Sequence, residues 1–375
     1  MNATWNSWVD SELEAVRAAG RWREHRTLDG DGVNHRLDDG RDVVSFASND
    51  YLGLTQHAAV IDAASVALRR WGAGSGSARL IVGSRPIHAD LERELADWKG
   101  EDAALVFPTG FAANLGVVST FGATDTIVFS DELNHASIID GCRLSRAEVH
   151  VDPHGDLDAL ADQLDLRKDR RAIVVTDTVF SMDGDVADVD QLARLCARHD
   201  ALLVLDEAHA VLGPHPEPAV LGRCAHLRVG TLSKTLGALG GFVAGSRDVI
   251  DLLVNRARPA IFTTALSPAD TAAAHAALGV LRSNEGVALL DRLRRSIDRL
   301  LPDHPSPIVP IVVGDERQAI AAAEALLHRG LLVPAIRPPT VAPGSSRLRV
   351  TLSAAHADDH IDRLVDALHD LGLRP

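Results

Sequence analysis

The sequence predicts an α/β fold built on a largely parallel sheet, and three observations carry that prediction. From about residue 100, short apolar runs alternate with helix-like segments. The runs are continuous in Val, Ile and Leu rather than alternating apolar with polar, as suits strands covered on both faces and joined by crossover helices. The noteworthy polar residues stand at or just after the ends of these runs, where α/β sheets bind their ligands.

In chain order, residues 1–45 read as an N-terminal helix and a small connecting segment, "DGDGVNHRLDDGRDV". Residues 46–284 read as one large unit. Within it "AALVF" (103–107) leads into "TGFAANLGVVSTF", and "AIVVTDTVFS" (172–181) precedes "VDQLARLCARHD" and then "ALLVLDEAHA". "LRVGTLSK" (227–234) and "GFVAGS" (241–246) are further strands, followed by helical patterns over 268–282 and 286–301. Residues 285–375 read as a smaller α/β unit in which "SPIVPIVVG", "ERQAIAAAEALLHRGLLV", "RLRVTLSAAH" and "ADDHIDRLVDALHDLG" run strand, helix, strand, helix.

The bulk numbers bound the function. Hydrophobic residues make up 46% of the 375 and charged residues 24%, an ordinary globular composition. No apolar run approaches the ~18 residues of a membrane span, and the N-terminus has no basic-then-apolar signal pattern. Cys142, Cys196 and Cys224 are scattered without metal-ligand spacing, so no metal site and a reduced, cytoplasmic protein are expected. A net charge of −14 argues against nucleic acid as a partner.

"LLVLDEAHAVLG" (202–213) carries the letters of a DEAH helicase box. Such a motor also needs a phosphate loop ending in Gly-Lys-Ser/Thr. The residues before the chain's three lysines are Trp98, Arg167 and Ser233, so that loop does not exist. The helicase reading fails.

Four strand-end features remain. "FPTGFAAN" ends a strand at Pro108 and starts a helix at Gly110, which suits an anion at free helix N–H groups or an ordinary turn. Asp206 and His209 follow the 202–205 run; a buried aspartate there needs a cationic partner or several donors, although it can also cap the next turn. Lys234 follows "TLS". Of 38 Lys and Arg only Lys99, Lys168 and Lys234 are lysine. A lysine kept where arginine would serve for charge suggests Schiff-base chemistry. Lys99 and Lys168, in charged contexts, read as surface. His135 in "DELNHAS" and Ser181 in "TVFSMDGD" are single candidates, each with a loop-packing alternative. Together the features meet the demands of pyridoxal phosphate: a lysine for the aldehyde, a carboxylate for the ring nitrogen, and donors for the phosphate.

At this point the chain resembles the α-oxoamine synthases, pyridoxal-phosphate enzymes of the aspartate-aminotransferase fold class (fold type I). The resemblance runs from about Phe46 to the C-terminus, on "FASNDYLGL", "GAGSGSARLIVG", "TGFAAN", "NHAS", "FSMDGD", "DEAHAVLG", "GTLSKTLG", "TTALSP" and "RLRVTLSAAH". It implies that Lys234 bonds the cofactor aldehyde and later moves the substrate α-proton, that Asp206 meets the ring nitrogen, that His209 and Ser181 lie by the ring hydroxyl, and that His135 stacks on the ring. Gly110, Phe111 and Thr231 would cradle the phosphate, with Thr263 and Thr264 reaching it from a second subunit of a homodimer. Asn49 and Arg349, with Thr351 close by, would hold the substrate carboxylate, arginine's planar fork suiting that job.

Members of this family condense an amino acid with an acyl thioester and release CO2. "AIRPPTV" (335–341) and the short N-terminus resemble the biotin-pathway branch, which joins L-alanine to a pimeloyl thioester carried by CoA or by acyl carrier protein. Arg23 in "GRWREHR" aligns best with that branch's pimeloyl-binding arginine, with Arg21 and Arg26 nearby and a solvated helix face as the alternative. The runner-up is the branch that joins glycine to acetyl-CoA. A non-catalytic partner subunit is disfavoured because Lys234, Asp206 and His209 are all present.

Overall fold

The structure is a computed structural model that describes residues 3–167 and 169–375. Lys168 therefore lies outside the described residues.

A helix, Ala3–Ala18, is followed by a hairpin-like set β1 (Leu28–Asp31), β2 (Asn34–Leu37) and β3 (Asp42–Ser45). The connecting segment is thus a small antiparallel sheet. Its Gly and Asp pairs supply the turns, and Val33, Val43 and Val44 are buried. The central sheet follows: β4 (Ala103–Phe107), β5 (Thr126–Asp131), β6 (Glu148–Asp152), β7 (Arg171–Asp177), β8 (Leu202–Asp206), β9 (His226–Thr231) and β10 (Gly241–Gly245). In space its order is β4-β10-β9-β8-β7-β5-β6.

Strands β6, β5, β7, β8 and β9 are parallel, as the continuous apolar runs predict. β10 is antiparallel to both β9 and β4. The connection from β9 to β10, residues 232–240, is too short for a helical crossover, so the chain must reverse. β5 carries the short buried run Ile127–Phe129, whereas the outer strand β6 alternates and exposes Val149 and Val151.

A third sheet joins β11 (Ile308–Gly314), β14 (Ser346–Thr351) and β13 (Ala335–Ile336), while the two-residue β12 (Leu331–Leu332) pairs with β3. Helices Pro268–Leu281 and Asn284–Leu300 occupy the two helical patterns. One apolar cluster runs through Leu91, Phe242 and Leu278 to Ile308, Leu348 and Ile361, so the central and third sheets share packing. Among the described residues no helix is long and apolar enough to cross a membrane.

Candidate active site

The two-residue period of a strand decides where the central strands aim their last side chains. Ile173 and Val175 of β7, Val204 of β8, and Leu227 and Val229 of β9 pack in one cluster with Val117 and Val118 of the helix Gly110–Phe121. Leu203 and Leu205 pack on the opposite face with Leu192. Continued to the strand ends, the first set places Asp177, Asp206 and Thr231 on the face of that helix. Asp177 and Asp206 are register partners. A cavity of about 200 Å³ opens there, lined by these three residues and by Gly110, Phe111, Asn114, His135, His209, Ser233 and Lys234.

Lys234 Nζ lies 2.7 Å from His209 Nε2. His209 Nδ1 bonds the Tyr51 hydroxyl, so both ring nitrogens are occupied. Burial, and then the charge of Lys234, hold His209 well below its usual pKa. A neutral imidazole has one donor and one acceptor, one for each neighbour. Burial likewise lowers the pKa of Lys234, with Asp206 and Asp177 opposing. The result is a lysine readier than usual to give up its proton. Asp206 accepts from Asn114 Nδ2 at 2.6 Å and from the Ala208 amide at 2.9 Å. Asp177 accepts from the His135 amide at 2.7 Å, and burial followed by the Asp206 charge pushes its carboxyl well above the usual range. Burial lowers the pKa of His135, with Asp206 opposing, and the His135 Nδ1 meets Ser137 Oγ at 2.7 Å.

The helix start provides the anion cradle. Thr109 caps the helix, its hydroxyl taking the Ala112 amide at 3.0 Å. The amides of Gly110 and Phe111 have no intrahelical acceptor, as in any first turn. Thr231 and Ser233 hydroxyls, 2.7 Å apart, stand opposite. A Cβ on Gly110 would sit 3.3 Å from Thr231 Cβ, so glycine lets the helix start approach the strand end closely. Amides, a helix N-terminus and two hydroxyls form a donor set for phosphate. With an amine, a carboxylate and an imidazole around the same cavity, the residues present fit pyridoxal phosphate.

A buried arginine corner adjoins this cavity. Arg349 donates to Asn49 Oδ1 at 3.2 Å, Thr351 Oγ1 at 2.8 Å and the Ser181 carbonyl at 2.5 Å. The Tyr51 hydroxyl, 3.3 Å from Asn49 Oδ1, connects the corner to His209. The structure therefore brings Asn49, Ser181, Arg349 and Thr351 together, joined to Lys234 through Tyr51 and His209.

Three expected residues lie elsewhere. Thr263 and Thr264 border a separate hollow with Arg79 and Pro108, Thr264 bridging to Ala78, and do not enter this chain's own cavity. Arg23 is exposed in irregular chain beyond the first helix, which ends at Ala18, so no helix face accounts for it. Nearby, Arg21 meets Glu316 at 3.4 Å and Arg337 holds the Gly20 carbonyl at 2.8 Å.

Lys99 requires correction. Its side chain is buried rather than at the surface, its Nζ 2.6 Å from Glu207 Oε2 and 3.8 Å from the centre of the Trp98 ring. Arg228 reaches the other Glu207 oxygen at 2.7 Å. Charged neighbours in sequence gave no hint that the helix end turns inward against the residue after Asp206.

Sequence reasoning missed Asp177, Asn114, Tyr51 and Ser233. Asp177 was findable, since it ends "AIVVTD" as Asp206 ends "ALLVLD", and Tyr51 is the chain's one tyrosine. Asn114 has no local signal; only helix packing brings it to Asp206.

The chain matches the Aminotransferase class I and II family over residues 41–368. It is 48% identical over 375 residues to the 8-amino-7-oxononanoate synthase of Anaeromyxobacter dehalogenans, covering 96% of this chain and 94% of that one. Among solved structures, a serine palmitoyltransferase from S. paucimobilis with a bound PLP–myriocin aldimine superposes with a TM-score of 0.90 at 28% identity, over 99% of this chain and 100% of the other. The 8-amino-7-oxononanoate synthase of Francisella tularensis gives 0.74 at 27% identity, over 88% and 98%. The fold is thus the fold type I architecture of these enzymes. The chain belongs to the aminotransferase class I and II family and, within it, to the 8-amino-7-oxononanoate synthases.

Proposed function

We propose that this chain is a pyridoxal-phosphate-dependent acyltransferase of biotin biosynthesis. It condenses L-alanine with a pimeloyl thioester, on CoA or acyl carrier protein, to give 8-amino-7-oxononanoate, CO2 and the free thiol. The observation that carries this reading is Lys234, 2.7 Å from His209, beside Asp206 at a strand-end cavity, in a chain 48% identical to an 8-amino-7-oxononanoate synthase. Fold alone would leave the substrate open, because one fold hosts many chemistries.

The Lys234 amine would hold the cofactor aldehyde, Asp206 the ring nitrogen, and His209 and Ser181 the ring oxygen. Gly110, Phe111 and Thr231 would hold the phosphate, and His135 would cover the ring. When bound, pyridoxal phosphate supplies an electron sink for the pair left on the substrate α-carbon. Arg349, with Asn49 and Thr351, would orient the L-alanine carboxylate bidentately. Lys234, its proton affinity lowered by burial, would take the α-proton onto neutral Nζ and return a proton at the end of the cycle. Arg23 would meet the pimeloyl carboxylate. Thr263 and Thr264, which face away from their own chain's cavity, would complete the phosphate cradle of a second copy, making a homodimer. The protein would be cytoplasmic.

The test is an absorption spectrum of the purified protein with pyridoxal phosphate, titrated in turn with L-alanine, glycine and L-serine. A visible band that shifts at the lowest concentration of L-alanine supports the reading. Preference for glycine would transfer it to the acetyl-CoA branch, and no cofactor band would overturn it.

A further inference from the structure

β7 runs into a loop that folds back on itself, Val179 bridging to Val186 and the Phe180 amide donating to the Asp185 carbonyl at 3.0 Å. The tip of this loop reaches β14. The Ser181 carbonyl accepts from Arg349, and the Asp183 carboxylate pairs with Arg347. The base is held from a different element. His154, in the turn after β6, places Nδ1 3.0 Å from both Asp131 carboxylate oxygens and Nε2 2.8 Å from Asp185 Oδ2. Its ring stands edge-on to Phe180 at 4.4 Å.

We infer that His154 is a positioning residue for the amino-acid site: by bridging Asp131 and Asp185 it holds the loop whose Ser181 carbonyl orients Arg349. The inference rests on the reading of Arg349 as the amino-acid carboxylate's partner.

Ionised carboxylates only accept hydrogen bonds, so both His154 nitrogens must donate, and the bridge requires the imidazolium. His154 lines a cavity of about 230 Å³ that is separate from the one at Lys234; its other titratable side chains are all carboxylates: Asp131, Asp152, Asp156, Asp185 and Asp188. Glu132 accepts the backbone amide of His154 at 3.0 Å. Burial opposes the positive charge on the ring, and the bonds to Asp131 and Asp185 outweigh it, leaving the pKa raised. The other Asp185 oxygen, Oδ1, is buried without a hydrogen-bond partner, so the bond to Nε2 is that carboxylate's side-chain anchor. Once His154 is neutral, one ring nitrogen turns a lone pair toward a carboxylate. The base of the loop then loses its side-chain tie, while its tip keeps the bonds from Ser306 to the Gly184 carbonyl and from Arg347 to Asp183. The Ser181 carbonyl is held less firmly for Arg349.

The experiment uses the holoenzyme with His154→Gln and, separately, the near-isosteric Asp185→Asn, which guards against a variant that fails to fold. In both, the L-alanine concentration needed to shift the visible band, and the KM for L-alanine, are expected to rise about tenfold to a hundredfold, the scale of one lost hydrogen bond to a charged group. The KM for the pimeloyl thioester stays as in wild type. The ratio of variant to wild-type KM falls toward one as pH rises and wild type loses its own imidazolium; a merely structural loss would leave that ratio flat. A folded variant with wild-type L-alanine affinity, or a flat ratio, overturns the inference. If wild type answers another amino acid instead, the functional reading fails, and the same comparison is made with that amino acid.

Discussion

Asp177 and Asp206 face each other across the last rung of β7 and β8, in register and both buried. Two carboxylates so placed cannot both ionise cheaply. Burial and the Asp206 charge push the Asp177 carboxyl well above the usual range, so Asp177 keeps its proton to a higher pH than an ordinary carboxylate. Asp206 accepts from Asn114 and the Ala208 amide and lines the cavity.

The pair predicts a pH signature for Asp177→Asn. A carboxyl whose folded pKa is raised keeps a proton that the unfolded chain releases. It therefore costs stability as pH rises from the ordinary carboxylate value, about 4, toward the raised one. In the cofactor-free protein, the variant's unfolding free energy is expected to fall less steeply in that window, by up to about 1.4 kcal/mol per pH unit. Urea melts at a series of pH values check this, and parallel slopes for variant and wild type would refute it.

Lys234→Ala is expected to abolish turnover, because among the described residues Lys234 is the one amine lining the cavity. The fold should survive, since the change removes a buried amine rather than core packing. Synthase assays and far-UV circular dichroism are the measurements; retained synthase activity would remove Lys234 from the chemistry.

The buried ions around Glu207 predict an order of stabilities. Lys99→Met leaves Glu207 still paired with Arg228, whereas Glu207→Gln leaves two cations without their counter-charge. Stranding a buried charge costs about 3–5 kcal/mol. Glu207→Gln should therefore destabilise by about that much and Lys99→Met by clearly less, read by urea denaturation. The reverse order would mean that Lys99 and Arg228 do not share one carboxylate.

Arg23→Ala is expected to raise the KM for the pimeloyl thioester about tenfold or more, the scale of a lost charge-assisted bond, while the KM for L-alanine holds. Steady-state kinetics with each substrate varied decide it. Unchanged saturation by the thioester would pass the role to Arg21 or Arg26.

Much of the frame was legible because its causes are local. The run "AALVF" coincides with β4, and the helical patterns from 268 onward coincide with Pro268–Leu281 and Asn284–Leu300. β6 was missed because "EVHVD" alternates polar with apolar residues at the sheet edge, and β5 because its apolar run, Ile127–Phe129, is only three residues long. Lys99 was misread for a related reason: a charged helix end looks the same in sequence whether it meets water or a buried Glu207.

The sequence by itself determined the α/β alternation and the strand ends that carry Asp206 and the Gly110 turn. It also singled out Lys234 through the scarcity of lysine. These follow from short-range periodicity and from side-chain chemistry. Only the tertiary structure decided that β10 runs antiparallel, that Asp177 shares a rung with Asp206, and that Asn114 reaches that aspartate across 92 positions of chain. It also decided that Tyr51 joins His209 to the Arg349 corner. Those relations depend on the order in which strands pack and the face each helix covers. Residues far apart in the chain meet there because burial requires it, and no local pattern records the meeting.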